Sequence, residues 1–226
     1  MSTPAPPAIT APLINRLGVL VLAAGKGVRM GGRPKCLLER DGEPLIARQL
    51  RILDALQPVA VVVVLGHYAT EVAGVMAKMG VANIVTRVTQ PSLDHSQPSS
   101  IRLGLQALSS DLDAVMVCPS DLPLLETADY QALLAAYLER PAGVGFVGPL
   151  VNNIPGNPVI FDRMVRRQIE TRGGQFGCGN WRNNADASVW NWPSSNERYT
   201  TDVDTERDLL RLEQDAGVVL RWPGTR

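Results

Sequence analysis

The chain has 226 residues, a length that suits one α/β domain or at most two small ones, and we take one domain as the expectation. Its 22 acidic and 22 basic residues balance, 45% of its residues are hydrophobic and 19% are charged, so the composition argues against disorder and against nucleic acid as a partner. Cys36, Cys118 and Cys178 fit neither a disulfide framework nor paired metal ligands, and they favour a reducing, cytoplasmic setting.

The first fifteen residues differ in composition from the rest of the chain. They hold four prolines and no charged side chain, so they lack the basic start and apolar centre of a secretory signal. We expect residues 1–15 to be a flexible, proline-rich leader before one domain over residues 16–226. The longest apolar run, Val59–Leu65, is too short to cross a bilayer and suits a strand buried on both faces, so we expect no membrane contact.

Apolar runs rich in β-branched residues alternate with stretches of helical periodicity. This alternation is typical of a mostly parallel sheet covered by helices, and it predicts a Rossmann-like, three-layer α/β fold. The predicted strands are Gly18–Ala23, Val59–Leu65, Asn83–Val88, Ala114–Val117, Val144–Val147 and Pro158–Phe161. The predicted helices are Pro44–Leu56, Thr70–Lys78, Ser100–Ser109 with a serine cap, Thr127–Leu138 capped by Thr127, and Glu206–Leu212.

The first strand ends in a loop that combines glycines with cations. Ligands of an open parallel sheet bind outside the carboxyl ends of its strands, so the loops that open at Ala24 and Cys118 are the expected place for chemistry. The first loop holds Gly25, Gly27, Gly31 and Gly32, which allow backbone amides to approach a phosphate closely, and its Arg29 and Lys35 can neutralise phosphate charge. We interpret this loop as a phosphate cradle; the alternative is a glycine-rich turn with solvated basic side chains.

Two well-known phosphate loops do not match this spacing. The dinucleotide fingerprint requires a third glycine where this chain has Met30. A P-loop requires a lysine and then serine or threonine after its last glycine, but Gly32 is followed by Arg33, and Lys35 is followed by Cys36. The loop therefore belongs to another class.

The segment LAAGKGVRMGGRPKCLL, residues 22–38, resembles the signature of the MobA-like nucleotidyltransferases. The resemblance covers nearly the whole chain and continues through VVLGH at 63–67, SSIRLGL at 99–105, CPSDLPLL at 118–125, GNPVIF at 156–161 and DVDTERDL at 202–209. It implies a nucleotidyltransferase fold and transfer of a nucleotidyl group to a phosphate acceptor. In this family the acceptor is often molybdopterin.

The resemblance also implies roles for residues at matching positions. Gly25, Gly27, Arg29 and Lys35 would hold the triphosphate, with Lys35 at the α-phosphate. Asp121 would bind Mg²⁺, and Asp204 would be the second carboxylate, with Asp202 as the alternative. Mg²⁺ suits this assignment because it takes few protein carboxylates and fills its other positions with phosphate oxygens and water. The structural alternatives are a turn-starting aspartate at 121 and helix capping by Asp202 or Asp204.

The same resemblance bears on which nucleotide is used. Among molybdopterin enzymes, LAAG at the start of the loop is associated with CTP, and this chain has Ala23, Ala24 and Gly25 there. Sugar-phosphate relatives that use UTP share this feature, so CTP is favoured only among the molybdopterin enzymes. Candidate base or phosphate contacts from the following helix are Ser99, Ser100 and Arg102. Their alternative role is ordinary helix capping and a solvated helix face.

The acceptor side departs from the family pattern. Asn157 stands where cytidylyltransferases commonly have histidine, and a Gly-Asp-x-Gly element is missing from the segment that follows. Trp181 and Trp192 could stack on a flat heterocycle such as a pterin, or they could anchor this segment to the body of the protein.

Three functions are therefore open. The favoured one is Mg²⁺-dependent transfer of CMP from CTP to molybdopterin, with a molybdenum enzyme as a candidate client. The second is a sugar-phosphate or other small-phosphate nucleotidyltransferase that uses UTP or GTP. The third, of another class, is a non-catalytic protein that binds and delivers the molybdenum cofactor.

Overall fold

The structure is a computed structural model that describes residues 16–78, 85–89, 96–172, 177–183 and 188–224. The expected leader, residues 1–15, lies outside these ranges. The strands are β1 Leu17–Ala23, β2 Glu39–Arg40, β3 Glu43–Pro44, β4 Ala60–Leu65, β5 Val85–Thr89, β6 Ala114–Pro119, β7 Phe146–Val151, β8 Ile154–Pro155, β9 Val159–Asp162, β10 Val189–Pro193 and β11 Leu220–Arg221. The helices are α1 Leu45–Asp54, α2 Ala69–Lys78, α3 Gln97–Ala107, α4 Thr127–Glu139, α5 Arg163–Arg172, α6 Cys178–Arg182 and α7 Glu206–Ala216.

One large, mostly parallel sheet forms the middle layer. Its strand order is β10-β7-β9-β6-β1-β4-β5, with β8 paired to β7. β1 runs parallel to both β4 and β6, whereas β9 runs antiparallel to β6 and β7. The central strands are buried on both faces, which explains their uninterrupted apolar sequences; Val61–Leu65 is at most 2% exposed at every residue. The predicted mostly parallel α/β sheet is confirmed.

Helices cover both faces of this sheet. Side chains of α1, α2 and α4 pack on one face, among them Ile46, Val72 and Leu133. Side chains of α3, α5 and α6 pack on the other, among them Ile101 and Ile169. These two cores make the three-layer arrangement. No helix in the described ranges is long and apolar enough to span a membrane.

Three of the predicted starts of helices and strands are wrong, each for a local reason. α3 begins at Gln97 and not at Ser100, because the Ser96 side chain caps it by accepting from the Ser99 N–H. The N-cap of α4 is Glu126 and not Thr127, because Glu126 and Asp129 form a reciprocal capping box. β7 begins at Phe146 and not at Val144, because the Val144 N–H bonds back to the Pro141 carbonyl in a turn.

A second, three-stranded sheet, β11-β2-β3, was not predicted. It belongs to a separate small core that contains Met30 of the glycine loop, Val203 of the loop before α7, and Leu212 of α7. Met30 and Val203 are fully buried there. The glycine loop and the loop that carries Asp202 and Asp204 are thus fixed against the same group of apolar side chains.

Candidate active site

The glycine loop follows β1 directly and contains three residues in the left-handed region. Gly27, Gly31 and Gly32 have φ values of 57°, 68° and 70°. The Gly27 carbonyl accepts from the N–H groups of Met30 at 2.8 Å and Gly32 at 3.0 Å, which closes the loop on itself. A Cβ on Gly27 would lie 1.9 Å from the Arg33 carbonyl oxygen, so only glycine fits.

Tyr68, in the loop after β4, holds the outer part of the glycine loop. Its hydroxyl donates to the Gly32 carbonyl and lies 3.4 Å from the Lys26 carbonyl. β4 and β1 also approach closely at their carboxyl ends, where a Cβ on Gly66 would lie 2.4 Å from the Ala24 carbonyl oxygen. The glycine loop is therefore held in place by contacts at the end of the neighbouring strand and by the small core that contains Met30.

Lys35 lies between two aspartates that are far away in sequence. Its Nζ donates to Asp121 Oδ2 at 2.8 Å and to Asp204 Oδ1 at 2.6 Å. Arg29 Nη2 lies 2.6 Å from the other carboxylate oxygen, Asp204 Oδ2. The structure thus brings together the predicted phosphate-binding cations and two of the three predicted metal-binding carboxylates.

Each of these side chains is placed by the element next to it. Lys35 begins a short 3₁₀ turn, Lys35–Leu37, after the glycine loop. Asp121 follows β6, and β6 pairs with β1, so its position at the mouth of the first strand follows from the parallel register. The Val203 N–H donates to the Asp121 carbonyl at 3.0 Å, which ties the loop before α7 to the loop after β6.

The charges of this cluster shift several protonation equilibria. Partial burial opposes the charge on Lys35, but Asp121 and Asp204 outweigh it and raise the pKa of this lysine. Desolvation likewise works against ionisation of Asp204, yet Lys35 and Arg29 lower the pKa of its carboxyl. Desolvation, followed by the charges of Asp121 and Asp204, raises the pKa of Asp202. Asp202 therefore senses the charges of both carboxylates and of Lys35, whereas the hydrogen bonds of Lys35 Nζ go to Asp121 and Asp204.

The acidic pair fits a divalent cation. One oxygen of Asp121 and one of Asp204 contact the same nitrogen, so the two oxygens are no further apart than the sum of those two contact distances. Two ligands of one Mg²⁺ are about 4 Å apart or less, since Mg²⁺–oxygen distances are about 2.1 Å. A small adjustment of the carboxylates would suffice. Among the described residues there is no larger cluster of His, Cys, Asp and Glu that could hold a metal, so phosphate oxygens or water would complete the ligand shell.

The other predicted nucleotide-binding residues surround this cluster less tightly. Ala23 and Ala24 are buried at the end of β1, and Gly25 is exposed with open space around it. Ser100 is 3% exposed and its hydroxyl donates to the Ser96 carbonyl at 3.2 Å, which favours a structural role for that side chain. Ser99 and Arg102 are half-buried near the start of α3, and nucleotide binding by them stays a prediction.

On the acceptor side the structure corrects one assignment. Trp181 is 3% exposed and packs in the core with Phe161 and Ile169. The prediction that a heterocycle could stack on its indole is therefore wrong. Trp192 is half-buried on β10 and packs edge-to-face against Tyr199, with 5.9 Å between ring centroids. Both tryptophans thus anchor their segment to the body of the protein, and a stacking role remains a prediction for Trp192 alone.

Asn157 lies at the same edge of the sheet as Asp121. It precedes β9, which runs antiparallel to β6, so the start of β9 and the end of β6 are neighbours. Arg182 fixes the turn before Asn157, because Nη1 donates to the Gly156 carbonyl at 3.0 Å and Nη2 to the Pro149 carbonyl at 2.7 Å. Desolvation lowers the pKa of Arg182 to about 10.

Cys36 is adjacent to Lys35 but is not a reactive thiol. It is 4% exposed, and burial raises its pKa to about 12. Cys36 is therefore a packing residue of the core.

Three supporting residues were missed at the sequence level. Tyr68 and Arg182 act through backbone carbonyls, which leave no pattern in the sequence. Asp208 caps α7 together with Thr205, and the spacing Thr205-x-x-Asp208 before an apolar run was a signal that could have identified it.

Comparisons with known proteins identify the family of this chain. The sequence model described as the MobA-like NTP transferase domain matches residues 19–188. The chain is 35% identical over 155 residues to the bifunctional protein GlmU of Paracidovorax citrulli, covering 68% of this chain and 31% of that protein. It is 36% identical over 148 residues to the bifunctional enzyme IspD/IspF of Clavibacter michiganensis, covering 64% of this chain and 33% of that protein. The matches thus span about a third of the length of these relatives.

Solved structures share the fold. Rv0371c from Mycobacterium tuberculosis superposes with a TM-score of 0.72 at 20% identity over 89% of this chain and 100% of that chain, and the same protein has been solved in complex with manganese. Molybdopterin-guanine dinucleotide biosynthesis protein A from Archaeoglobus fulgidus superposes with a TM-score of 0.64 at 16% identity over 88% and 98% of the two chains. The family match includes Lys35 and Asp121 and covers most of this sequence, and the chain therefore belongs to the MobA-like NTP transferase family.

Proposed function

We propose that this chain transfers CMP from CTP to the phosphate of a molybdopterin-type acceptor in a Mg²⁺-dependent reaction that releases pyrophosphate. An oxygen of the acceptor phosphate attacks the α-phosphorus of the nucleotide. The bond from that phosphorus to the oxygen bridging the α- and β-phosphates breaks, and pyrophosphate carries away the electron pair. A new phosphoanhydride joins the two substrates.

One observation carries this proposal: Lys35 contacts Asp121 and Asp204 at once, at the mouth of the glycine loop. Cations that can hold phosphates and carboxylates that can hold a divalent metal therefore occupy a single site. The buried Met30 and Val203, in one small core, support a fixed distance between the loops that carry them. Such pre-organisation suits a reaction in which positioning is the main requirement.

Two anions must meet for this reaction, and their mutual repulsion is the main obstacle. Lys35 and Arg29 would neutralise phosphate charge, and exposed amides near Gly25 would donate to phosphate oxygens. A bound Mg²⁺, held by Asp121 and Asp204, would supply further charge neutralisation and orientation of the phosphates. A covalent protein nucleophile is not required, in keeping with the buried, protonated Cys36.

The preference for CTP rests on Ala23 and Ala24. Ala24 is 5% exposed and is packed against Gly66, the residue after β4, so Ala24 cannot easily move to admit a larger base. The acceptor is proposed to lie on the other side of Asp121, towards Asn157 and Trp192. A molybdenum enzyme as client, a cytoplasmic location and the single domain over residues 16–226 belong to the same proposal.

Release of pyrophosphate, measured with each of CTP, GTP, UTP and ATP, tests this function. Each nucleotide is combined with Mg²⁺ and with either molybdopterin or a set of sugar phosphates. We expect release with CTP and molybdopterin, and release slowed on the order of 100-fold or more in Asp121→Asn. Release only with UTP or GTP and a sugar phosphate would favour the small-phosphate alternative. Tight binding of the finished cofactor without any pyrophosphate would favour a delivery protein.

A further inference from the structure

Lys35 takes the position in which a divalent cation would contact Asp121 and Asp204. Its ammonium group binds one oxygen of each carboxylate, and Arg29 contacts the remaining oxygen of Asp204. The Lys35 side chain is only 18% exposed and those of Asp121 and Asp204 are 22% and 29% exposed, so this network is largely screened from water. A metal ion cannot reach both contacted oxygens while Lys35 remains there.

We propose that Lys35 competes with the divalent metal for Asp121 and Asp204, so that the metal binds weakly alone and tightly together with a nucleoside triphosphate. The competition concerns the protein and the metal only. The coupling to nucleotide rests on the proposed function, because it requires a triphosphate in the glycine loop.

Charge explains the direction of this coupling. A metal ion that arrives alone must break two charge-assisted hydrogen bonds and then sit beside the displaced Lys35 and Arg29 cations. A triphosphate supplies new anionic partners for both cations, and the flexible stem of Lys35 allows its ammonium to turn towards them. By linkage, the metal strengthens nucleotide binding by the same factor as the nucleotide strengthens metal binding, and such factors are roughly 5- to 150-fold.

The proposal predicts that Lys35→Met affects metal and nucleotide in opposite directions. The substitution keeps most of the length of the side chain but removes its charge and its donors. Free metal should then bind more tightly, because Asp121 and Asp204 no longer have a competing cation. Nucleotide should bind more weakly, because a phosphate contact is lost. A lysine that served only as a phosphate ligand would leave the affinity for free metal unchanged.

The test is a titration of the full chain with Mn²⁺ in the absence of nucleotide, followed through the EPR signal of aqueous Mn²⁺. We expect Lys35→Met to lower the Kd for Mn²⁺ at least about fivefold. Lys26→Met is the matched control, since Lys26 lies in the same loop with an exposed side chain, and it should leave this Kd unchanged. Asp121→Asn added to Lys35→Met should cancel the gain, which would place the ion at the acidic pair. A Kd for Lys35→Met equal to or above the wild-type value would overturn the competition.

Thermal melting shows whether Lys35→Met is folded. If it is not, Arg29→Gln carries the test, because the Arg29 side chain is 68% exposed and contacts the same carboxylate. This variant should lower the Kd for Mn²⁺ at least about twofold, and an unchanged Kd would again overturn the competition. Repeating the wild-type titration with CTP, GTP, UTP and ATP separates the two proposals. If none of them strengthens Mn²⁺ binding, the coupling and the proposed function both fail, whereas the result without nucleotide tests the competition alone.

Discussion

Asp208 accepts hydrogen bonds from the backbone N–H groups of both Asp204, at 3.0 Å, and Thr205, at 2.7 Å. The N-terminal cap of α7 therefore also fixes the backbone of a proposed metal ligand. Desolvation opposes the charge on Asp208, but its hydrogen bonds with Thr205 and Asp204 outweigh it and lower the pKa of this carboxyl.

Removing this cap in Asp208→Ala should lower the free energy of unfolding by about 1 kcal/mol at pH 7. Because the folded-state pKa is lowered, the contribution is present above the unfolded-state pKa, about 3.9, and is lost as the pH falls through the folded-state value. The gap between wild type and variant should therefore be constant from about pH 5 to 8 and should shrink below about pH 4. Urea unfolding across this range measures the effect. A gap independent of pH would contradict the role of the charged carboxylate.

The three acidic residues near Lys35 should differ in importance. We expect Asp121→Asn and Asp204→Asn to lower kcat/KM on the order of 100-fold or more, because each removes a charged ligand from the proposed metal site. Asp202→Asn should lower it less than about tenfold, since Asp202 does not contact Lys35 and senses the site only through its charge. Pyrophosphate release measures all three. A larger loss at Asp202 than at Asp204 would exchange their assigned roles.

Tyr68→Phe removes a single hydroxyl that bonds the glycine loop. The expected result is a rise of about twofold to tenfold in the Kd for CTP, the worth of one hydrogen bond, with an unchanged KM for the acceptor. Tyr199→Phe is the matched control, since the Tyr199 hydroxyl donates to the Asp129 carbonyl at 2.6 Å and not to the loop. That control should cost stability without changing the Kd for CTP. Equal Kd values for wild type and Tyr68→Phe would show that the hydrogen bond from the Tyr68 hydroxyl does not position the glycine loop.

Gly27→Ala tests the backbone geometry of the loop. A side chain there must adopt positive φ and would overlap the Arg33 carbonyl, so we expect a loss of more than about 1 kcal/mol of stability and of CTP binding. Gly74→Ala is the control, because Gly74 lies in α2 with nothing within 4 Å of an added Cβ. It should instead stabilise the protein by about 0.5–1 kcal/mol. Chemical unfolding compares the two, and shifts of the same sign would contradict the strain argument.

The parts of the site that follow from strand periodicity could be predicted from the sequence. The runs that became β1 and β6 are apolar enough to be recognised, and parallel pairing then requires the loops after Ala23 and Pro119 to be neighbours. The contact between Lys35 and Asp204 joins residues 169 positions apart and follows from no periodicity. It was expected only through the resemblance to a family.

What the sequence did not predict has a common physical cause. β2, β3 and β11 are two-residue strands, too short to show the alternation that identifies a strand. β10 has only five residues, with Trp190 and Trp192 on either side of Asn191, and it is defined by pairing to β7 rather than by its own composition. Burial of Trp181 depends on where α6 packs, and the sequence alone does not distinguish a tryptophan in a core from one in a binding site. Tertiary contacts decided each of these features.

The most direct measurement is a crystal structure with CTP and Mn²⁺, in which anomalous scattering locates the metal. We expect a manganese peak within coordination distance of a carboxylate oxygen from both Asp121 and Asp204, the triphosphate against Gly25–Gly27, and the Lys35 ammonium on a phosphate oxygen. A manganese peak remote from both aspartates, or a triphosphate bound outside the glycine loop, would contradict it.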